Sequence, residues 1–559
     1  MGDGVSRARG AIAADAAHAD PALWINRLPD DLILAREAIL LAEGPQGRPL
    51  HGLTFAVKDN IDVEHQLTTA GCPGFAYLAQ RSAPAVERLL EAGAILVGKT
   101  NLDQFATGLV GVRSPFGTPR NVHSAEHVPG GSSSGSATAV AAGIVDFALG
   151  TDTAGSGRVP ALFGGIIGLK PTIGSIPATG MVPACRSIDT ISVFARDIAT
   201  ALRVHAVMAE FDPTDPYSRR APHAHLRRPA LPPHVRVGIA DIAGLCCAPQ
   251  EAAYRRTAGL FDTAEVNIAP FLEIARLLYD GPWVSERSAV LREVVETQPD
   301  ILHPTTRHIL QGGLGRLTVD AFDAFHRLAH ARRLAEELFT RIDALMLPTA
   351  PYTPTLAELD ADPIGPNARL GTFTNFVNLC DLAAIAVPTG LGADGLPTGV
   401  TLIGPAWSEA RLAMIAARIT GEDLPPDPLA PDETALFCIG AHMSGLPLNS
   451  QLLTLGGRFL RDDRTVTGYR LHALGNRPGL TRAAGGASIA GEGIAGEVWS
   501  LPTAAIGALL TQVPAPLGFG TVQLETGPCL GFLAEAEGVA GTRDITALGG
   551  WRAYLAEFA

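Results

Sequence analysis

The sequence predicts an α/β protein with a mostly buried central sheet, followed by a smaller domain of β-rich or α+β character. Three observations carry this. Strand-like and helix-like segments alternate from about residue 30 to about residue 420. The stretch Gly421–Glu433, with four prolines and five acidic residues, then breaks the pattern. Beyond it, short apolar runs are separated by Gly and Pro. At 559 residues, 47 % hydrophobic and 18 % charged, the chain is long enough for two or more cores.

Residues 1–48 are expected to form an N-terminal helical segment. Within it "DDLILAREAILLAE" spaces Leu32, Ile33, Ala35, Ile39, Leu40 and Leu41 as an amphipathic helix does. "LTFAVKDNIDV" alternates like a strand that ends at Lys58 and an Asp-Asn turn. "AVERLLEAGAILVGKT" has the order helix, Gly turn, strand, and "LMLPTAP" and "AAIAVPTG" are short buried strands. "SEARLAMIAARITG" closes the larger domain with a helix and a Gly after it. The expected division is 1–48, a main domain over 49–420, a linker over 421–433 and a C-terminal domain over 434–559.

Composition narrows the function. A formal net charge of −13, spread along the chain, argues against a nucleic-acid or anionic-membrane partner and for a small molecule. Cys72, Cys185, Cys246, Cys247, Cys380, Cys438 and Cys529 form no CxxC pair, as expected of reduced cytosolic thiols. The N-terminus lacks a continuous apolar core and no uncharged apolar run reaches membrane-span length. Met1–Ser6 fits the loose MGxxxS myristoylation pattern, without any other membrane feature. His223 and His225 lack a third ligand, and no phosphate loop or dinucleotide fingerprint is present. The chemistry is expected to need no metal and no cofactor.

Serines concentrate in "PGGSSSGSATAVAAG", Pro129–Gly143, and "GTDTAGSGR", Gly150–Arg158. Gly131–Gly135 fits the nucleophile-elbow pattern G-x-S-x-G formally, yet the elbow needs a preceding strand and "NVHSAEHVPG" is polar and ends in Pro. A Ser-His-Asp triad would need one particular histidine, and none of the fifteen is singled out. A lysine kept neutral by burial can take the proton instead. Lys58, at the end of an apolar strand, qualifies, although Asp59 is its neighbour.

"FAVKDNID", "PGGSSSGSATAVAAG" and "GTDTAGSGRVPALFGGIIGLKPT", in this order and spacing, resemble the amidase signature family over about residues 30 to 420. The resemblance implies a mixed central sheet covered by helices on both faces. It also implies Ser156 as nucleophile, Ser132 as bridging serine, Lys58 as ultimate base and a cis Gly131–Ser132 peptide. The amides of Thr153, Ala154, Gly155 and Ser156 would form the oxyanion hole. Ala154 and Ser134 stand where many members have glycine, which costs stability if either position needs a positive φ. Ser133, Ser134 and Ser136 are expected to be structural hydroxyls bonded to local backbone.

"LLYDGPWVSER", "GMVPACRSID" and "ARLGTFTNFVNLCDLAAIAVP" narrow the resemblance to the allophanate hydrolase branch. That implies Arg287 clamping the substrate carboxylate as a bidentate fork and Tyr279 hydrogen-bonding the substrate. Arg369 is a weaker candidate for the clamp, and Arg158 is expected to be a structural cation bonding loop carbonyls. "GAHMSGLPLN" and "ALGGWRAYL" resemble the C-terminal domain of long allophanate hydrolases. Such a domain has a γ-glutamylcyclotransferase-like, β-barrel-like α+β fold and is a candidate for handling the amidase product. His442, inside that motif, is a possible second site. The resemblance further implies a homodimer working after an ATP- and biotin-dependent urea carboxylase. The rivals are another amidase, such as a glutaminase-type amidotransferase subunit or a broad amide hydrolase, and a catalytically silent scaffold.

Overall fold

The computed structural model describes residues 6–222, 225–483 and 493–558; His223 and all but the serine of the Met1–Ser6 pattern lie outside them. Two compact units result. One comprises Met1–Ala221, Val237–Phe339 and Asp343–Asp423, the other Pro222–Arg236, Thr340–Ile342 and Leu424–Ala559.

The strands of the first unit are β1 (Trp24–Arg27), β2 (Thr54–Lys58), β3 (Leu67–Thr68), β4 (Tyr77–Leu78), β5 (Ile95–Thr100), β6 (Phe147–Asp152), β7 (Ile167–Lys170), β8 (Thr190–Ala195), β9 (Arg236–Ile239), β10 (Asp262–Glu265), β11 (Ala344–Pro348), β12 (Leu382–Leu391) and β13 (Pro397–Pro405). Eleven of them form one mixed sheet in the order β1-β5-β2-β6-β8-β7-β12-β13-β11-β9-β10, and β3 pairs with β4. β2 runs parallel to both β5 and β6, and all three strands are buried along their length. Their near-continuous apolar runs are what a sheet covered on both faces requires. Because β2 and β6 point the same way, Lys58 and Asp152 end neighbouring strands on one edge, where open α/β sheets build their sites.

The N-terminal segment folds as helices Arg7–His18 and Asp30–Glu43, packed through Ala8, Ala11, Ile33 and Leu40 onto Ala56, Ile95, Val97 and Ala148. It is not helical throughout, because Trp24–Arg27 supplies edge strand β1, antiparallel to β5; four residues are too few for a periodic signal. The buried face of the second helix also includes Glu37, whose carboxylate accepts the Ala8 N–H at 3.1 Å. Leu32, Ile39 and Leu41 face outward instead, 53 %, 50 % and 69 % exposed.

The second unit carries β14 (Glu433–Cys438), β15 (Arg458–Arg464), β16 (Tyr469–Leu474), β17 (Arg477–Arg482), β18 (Ala495–Pro502), β19 (Leu517–Leu524), β20 (Gly527–Ala534) and β21 (Arg543–Asp544). They form a five-stranded sheet, β15-β18-β14-β20-β19, and a three-stranded one, β17-β16-β21. Leu436, Phe437, Trp499, Phe532 and Trp551 lie in its core.

Pro222–Arg236 joins this unit, which sequence pattern alone does not signal. Ala230 N donates to Phe459 O at 2.9 Å, and the Arg228 guanidinium pairs with Asp427 at 2.6 Å. Arg458 organises the segment that reads as a linker. Its guanidinium bonds Asp427 O at 2.6 Å, Pro428 O at 2.7 Å and both Glu433 carboxylate oxygens at 2.9 and 2.6 Å. Burial alone would raise the Glu433 carboxyl, but hydrogen bonds from Arg458 and the Ala430 N–H bring it down to about 2.

Arg458→Met is expected to destabilise the second unit by about 2 kcal/mol, since it takes two hydrogen bonds from a buried carboxylate and leaves Arg227 at 3.2 Å as its remaining cation. Urea unfolding followed by tryptophan fluorescence reads the loss. The folded carboxyl is depressed below its ordinary 4.5, so its contribution is present above that value and is lost as pH falls toward 2. The gap between wild type and variant should therefore narrow in acid.

Candidate active site

Lys58 is fully buried, and its amine meets three hydroxyls: Ser132 Oγ at 2.8 Å, Ser133 Oγ at 3.0 Å and Thr151 Oγ1 at 2.8 Å. Burial pushes Lys58 down to about 7, against the pull of Asp103, Asp189 and Asp152, and the charge of Arg287 lowers it further. Ser133 Oγ donates to Thr151 O at 3.2 Å and receives the Thr151 N–H at 3.3 Å. With its one proton committed, Ser133 can only accept from the lysine. A neutral amine has two N–H groups and a lone pair, so the lone pair is left for the hydroxyl of Ser132 or Thr151.

Asp59 does not hold the Lys58 proton. It is ion-paired with buried Lys99 at 2.9 Å and accepts the Thr69 N–H and hydroxyl at 2.9 and 2.5 Å. Successive residues of a strand end point to opposite sides, which separates the carboxylate from its neighbouring amine.

Ser132 precedes the helix Ser134–Ala141, and its carbonyl accepts the Asp103 N–H at 3.0 Å. The Gly131–Ser132 peptide is cis. A Cβ on Gly131 would meet Gly111 N at 2.5 Å and collide with the Asp103 carboxylate, so only glycine fits. Ser134 and Ala154 both have ordinary negative φ, and their Cβ atoms add no backbone strain. Ser136 donates to Leu149 O at 2.8 Å. Ser134, by contrast, has a buried hydroxyl with no partner among the described residues, and Ser133 sits on the lysine as well as on backbone.

Ser156 lies in the loop between β6 and the helix Val159–Gly164. Its hydroxyl donates to Gly108 O at 3.4 Å and makes no hydrogen bond to Ser132. The N–H groups of Thr153, Ala154, Gly155 and Ser156 donate to no acceptor among the described residues, leaving a run of free amides beside the serine. Gly155 adopts φ +138°, and a Cβ there would meet Thr374 Oγ1 at 2.5 Å. The Asp189 carboxylate accepts the Thr153 hydroxyl at 2.5 Å and the Ala184 and Cys185 N–H groups at 2.6 and 3.0 Å. Burial pushes Asp189 up to about 6 despite these bonds and Arg287.

Arg158 bonds one carbonyl, Thr374 O at 3.1 Å, but its main partner is a carboxylate: Nε and Nη2 grip Asp152 at 2.9 and 3.0 Å. Arg287, in the helix Trp283–Val290, is 1 % exposed and has no such partner. Its Nη1 donates to Ala106 O at 3.1 Å and Thr107 Oγ1 at 2.9 Å. Its Nε and Nη2, the edge that Arg158 uses, are buried without a hydrogen-bond partner among the described residues. The Tyr279 hydroxyl is likewise buried and unpartnered, and the Tyr279 ring lies 5.5 Å from the Arg287 guanidinium. Arg369 is exposed and packs on the Tyr352 ring at 4.5 Å.

In the second unit His442 Nε2 pairs with Gln451 Oε1 at 3.1 Å, and its ring stacks on Phe532 at 5.1 Å. Burial lowers its pKa, against the Gln451 bond. Beside it, Met443 helps line a cavity of about 1240 Å³ that also presents Glu497, Arg464 and Arg552. Glu497 accepts from Ser444 N and Oγ, Trp499 Nε1 and Arg552 Nη2 at 2.6 to 2.9 Å.

Sequence motifs do not single out Thr151, Asp103, Asp189 or the carbonyls of Ala106 and Gly108. Thr151 lies at the head of "GTDTAGSGR" and Asp189 ends "GMVPACRSID", yet neither motif assigns them a role, and "NLDQFATG" carries no pattern that distinguishes it from an ordinary turn.

Residues 11–413 match the Amidase family and residues 434–556 the Allophanate hydrolase C-terminal domain. The chain is 40 % identical over 574 residues to urea amidolyase of Saccharomyces cerevisiae, covering 95 % of this chain and 31 % of that one. It is 36 % identical over 408 residues to a glutamyl-tRNA(Gln) amidotransferase subunit of Symbiobacterium thermophilum, covering 66 % and 82 %. A solved allophanate hydrolase of Kluyveromyces lactis superimposes with a TM-score of 0.74 at 36 % identity, covering 100 % of this chain and 98 % of that one. The chain thus belongs to the amidase family, and it spans about a third of the length of the urea amidolyases it matches.

Hydrolysis at this site is expected to rise with pH through about 7 and level off above, as Lys58 loses its proton. A kcat/KM profile between pH 5 and 9 checks this. A midpoint near the ordinary lysine value would mean that the amine stays charged in the folded protein.

Proposed function

We propose that the chain is an allophanate hydrolase of urea degradation, cleaving the terminal amide of urea-1-carboxylate to ammonia and N-carboxycarbamate. The observation that carries this is the open Nε–Nη2 edge of Arg287, a buried fork shaped for a carboxylate. It is joined through Thr107 and Gly108 to the segment that holds Ser156. Similarity to the Kluyveromyces lactis enzyme along its whole length supports the assignment.

In the mechanism, Arg287 holds the substrate carboxylate and Tyr279 donates its hydroxyl to the substrate. Ser156 turns from Gly108 O, passes its proton through Ser132 to neutral Lys58, and attacks the terminal carbonyl carbon. The oxyanion takes N–H bonds from the Thr153–Ser156 loop, worth a few kcal/mol to the transition state. Lys58 returns the proton through Ser132 to the departing nitrogen, and the C–N bond breaks to give ammonia and a Ser156 ester. Water, deprotonated by the same relay, cleaves the ester and frees Ser156. Neutral Lys58 serves as base and then acid at one pKa near neutrality.

The substrate would come from an ATP- and biotin-dependent urea carboxylase, a reaction that must precede this one because urea itself carries no carboxylate. Free thiols at all seven cysteines support a reducing, cytosolic setting. A homodimer belongs to the same proposal. Leu317, Val319, Phe322 and Phe325, 55 to 66 % exposed beside one another, support a covered face there. We place handling of the product in the cavity lined by Arg464 and Arg552 together with Asp462, Asp463, Glu497, Glu525 and Asp544, with His442 beside it.

Ammonia release tests the assignment. Ser156→Ala is expected to lower kcat by about four orders of magnitude with the fold intact, and Arg287→Ala to cut the preference for allophanate over acetamide by about 100-fold. Equal turnover of allophanate, glutamine and acetamide by the wild type would overturn it. His442→Ala should leave the first ammonia unchanged and slow carbon dioxide release from the product, measured as the ratio of the two.

A further inference from the structure

Phe105 and Ala106 are consecutive residues with Cβ atoms in the left-handed region, at φ 52° and 53°. Each such residue is strained and persists only where its surroundings impose it. Here they do: Phe105 N bonds Ala70 O at 2.8 Å and Gln104 N bonds Arg113 O at 2.7 Å. The Asp103 carboxylate gathers the N–H groups of Gly111 and Arg113, both at 2.9 Å. The result of this conformation is a row of acceptors. Ala106 O and Thr107 Oγ1 face Arg287 at 3.1 and 2.9 Å, Thr107 O faces Arg113 at 2.9 Å, and Gly108 O holds the Ser156 hydroxyl at 3.4 Å. The clamp and the nucleophile therefore hang on adjacent peptide units. While Ser156 donates to Gly108 O, its proton is not on Ser132.

We infer that the Ala106–Gly108 turn couples the two, so that a carboxylate on Arg287 releases Ser156 from Gly108 O to Ser132, with Thr107 as the positioning residue. The coupling rests on the assignment of Arg287 as the carboxylate clamp and deepens it into a specificity device. An anion on Nε and Nη2 shares the guanidinium charge and weakens the charge-assisted bonds from Nη1 to Ala106 O and Thr107. Ala106 O and Thr107 Oγ1 are then held less tightly, and the turn shifts at the next peptide, which carries Gly108 O. A neutral amide can enter the site but makes no differential contact with the two states, so it cannot shift their balance. Selectivity for a carboxylated substrate then appears in kcat as well as in KM.

The test separates the carboxylate from the amide. The enzyme is first assayed on allophanate and then given acetamide as the neutral amide and formate as the detached carboxylate. Formate is expected to stimulate acetamide hydrolysis saturably, by about fivefold or more. Thr107→Val, which cannot accept from Arg287, should abolish the stimulation and lower kcat for allophanate more than it raises KM, while Thr107→Ser restores both. Inhibition or indifference to formate in the wild type, or stimulation that survives in Thr107→Val, overturns the coupling. Should Thr107→Val fail to fold, the wild-type and Thr107→Ser responses still decide. Absence of allophanate hydrolysis by the wild type would instead defeat the functional assignment, a separate outcome.

Discussion

The site depends on an amine that has no carboxylate to lean on. Three lysines are buried in the first unit, Lys58, Lys99 and Lys170, and their partners set what each can do. Lys99 meets Asp59, Thr68 Oγ1 and Leu67 O at 2.7 to 2.9 Å, acceptors that favour the ammonium against the burial that lowers its pKa. Lys170 meets the carbonyls of Pro171 and Leu382 at 3.0 and 2.5 Å, groups that accept and never donate. Lys58 alone of the three is ringed by hydroxyls, and a hydroxyl can serve either protonation state because it donates as readily as it accepts. The drop from 10.5 to about 7 corresponds to about 5 kcal/mol of lost preference for the charged form. That loss requires the parallel strands β2, β5 and β6 to exclude water along their whole length. It also requires Asp59 to be held by Lys99 on the other side of the strand.

Much of this was legible in the sequence. The alternation of segments defined the α/β class, and the strand "TFAVK" ending in lysine placed Lys58 at a sheet edge. The family motifs supplied Ser132, Ser156, Tyr279 and Arg287, which the structure gathers around the Asp103–Arg113 turn and the Thr153–Ser156 loop. The remaining parts were not legible, for one physical reason: they are defined by tertiary contact and carry no distinctive local pattern. Thr151 lies 93 residues from Lys58, and nothing in "LGTD" marks a hydroxyl turned toward an amine. Ala106 and Gly108 act through carbonyls, which every residue has. Ser133 looked like a backbone-bonding serine and is one, yet it is the fixed acceptor that orients the lysine's protons. Pro222–Arg236 could not be assigned to the second unit, because what takes it there is Arg228 meeting Asp427, far along the chain. The concern over Ala154 and Ser134 arose from a possible positive φ, and their actual backbone removes it.

Two buried arginines within one site show how a structure separates stability from function. Arg158 and Arg287 are both almost inaccessible to water, and both present the same Nε–Nη2 edge. In Arg158 that edge is filled by Asp152 from six residues away, so the pair desolvates together and each charge answers the other. Asp152 in turn bonds the Gly157 N–H at 3.0 Å, and the result is a rigid nucleophile loop. In Arg287 the edge makes no hydrogen bond among the described residues, although the Cys185 thiol lies against the guanidinium, and two bonds from Nη1 cannot balance a buried guanidinium. A chain selected for stability alone would fill or remove it. Its retention, next to an equally unpartnered Tyr279 hydroxyl, is understandable if a ligand supplies the missing anion. The free energy withheld in the empty state then appears as affinity and selectivity when a carboxylate arrives. The same reasoning explains why the stiff Asp152–Arg158 pair lies beneath Ser156 while the open arginine lies across the turn from it. On the proposed roles, the Thr153–Ser156 loop stays still when substrate binds, whereas Arg287 responds to what it has bound.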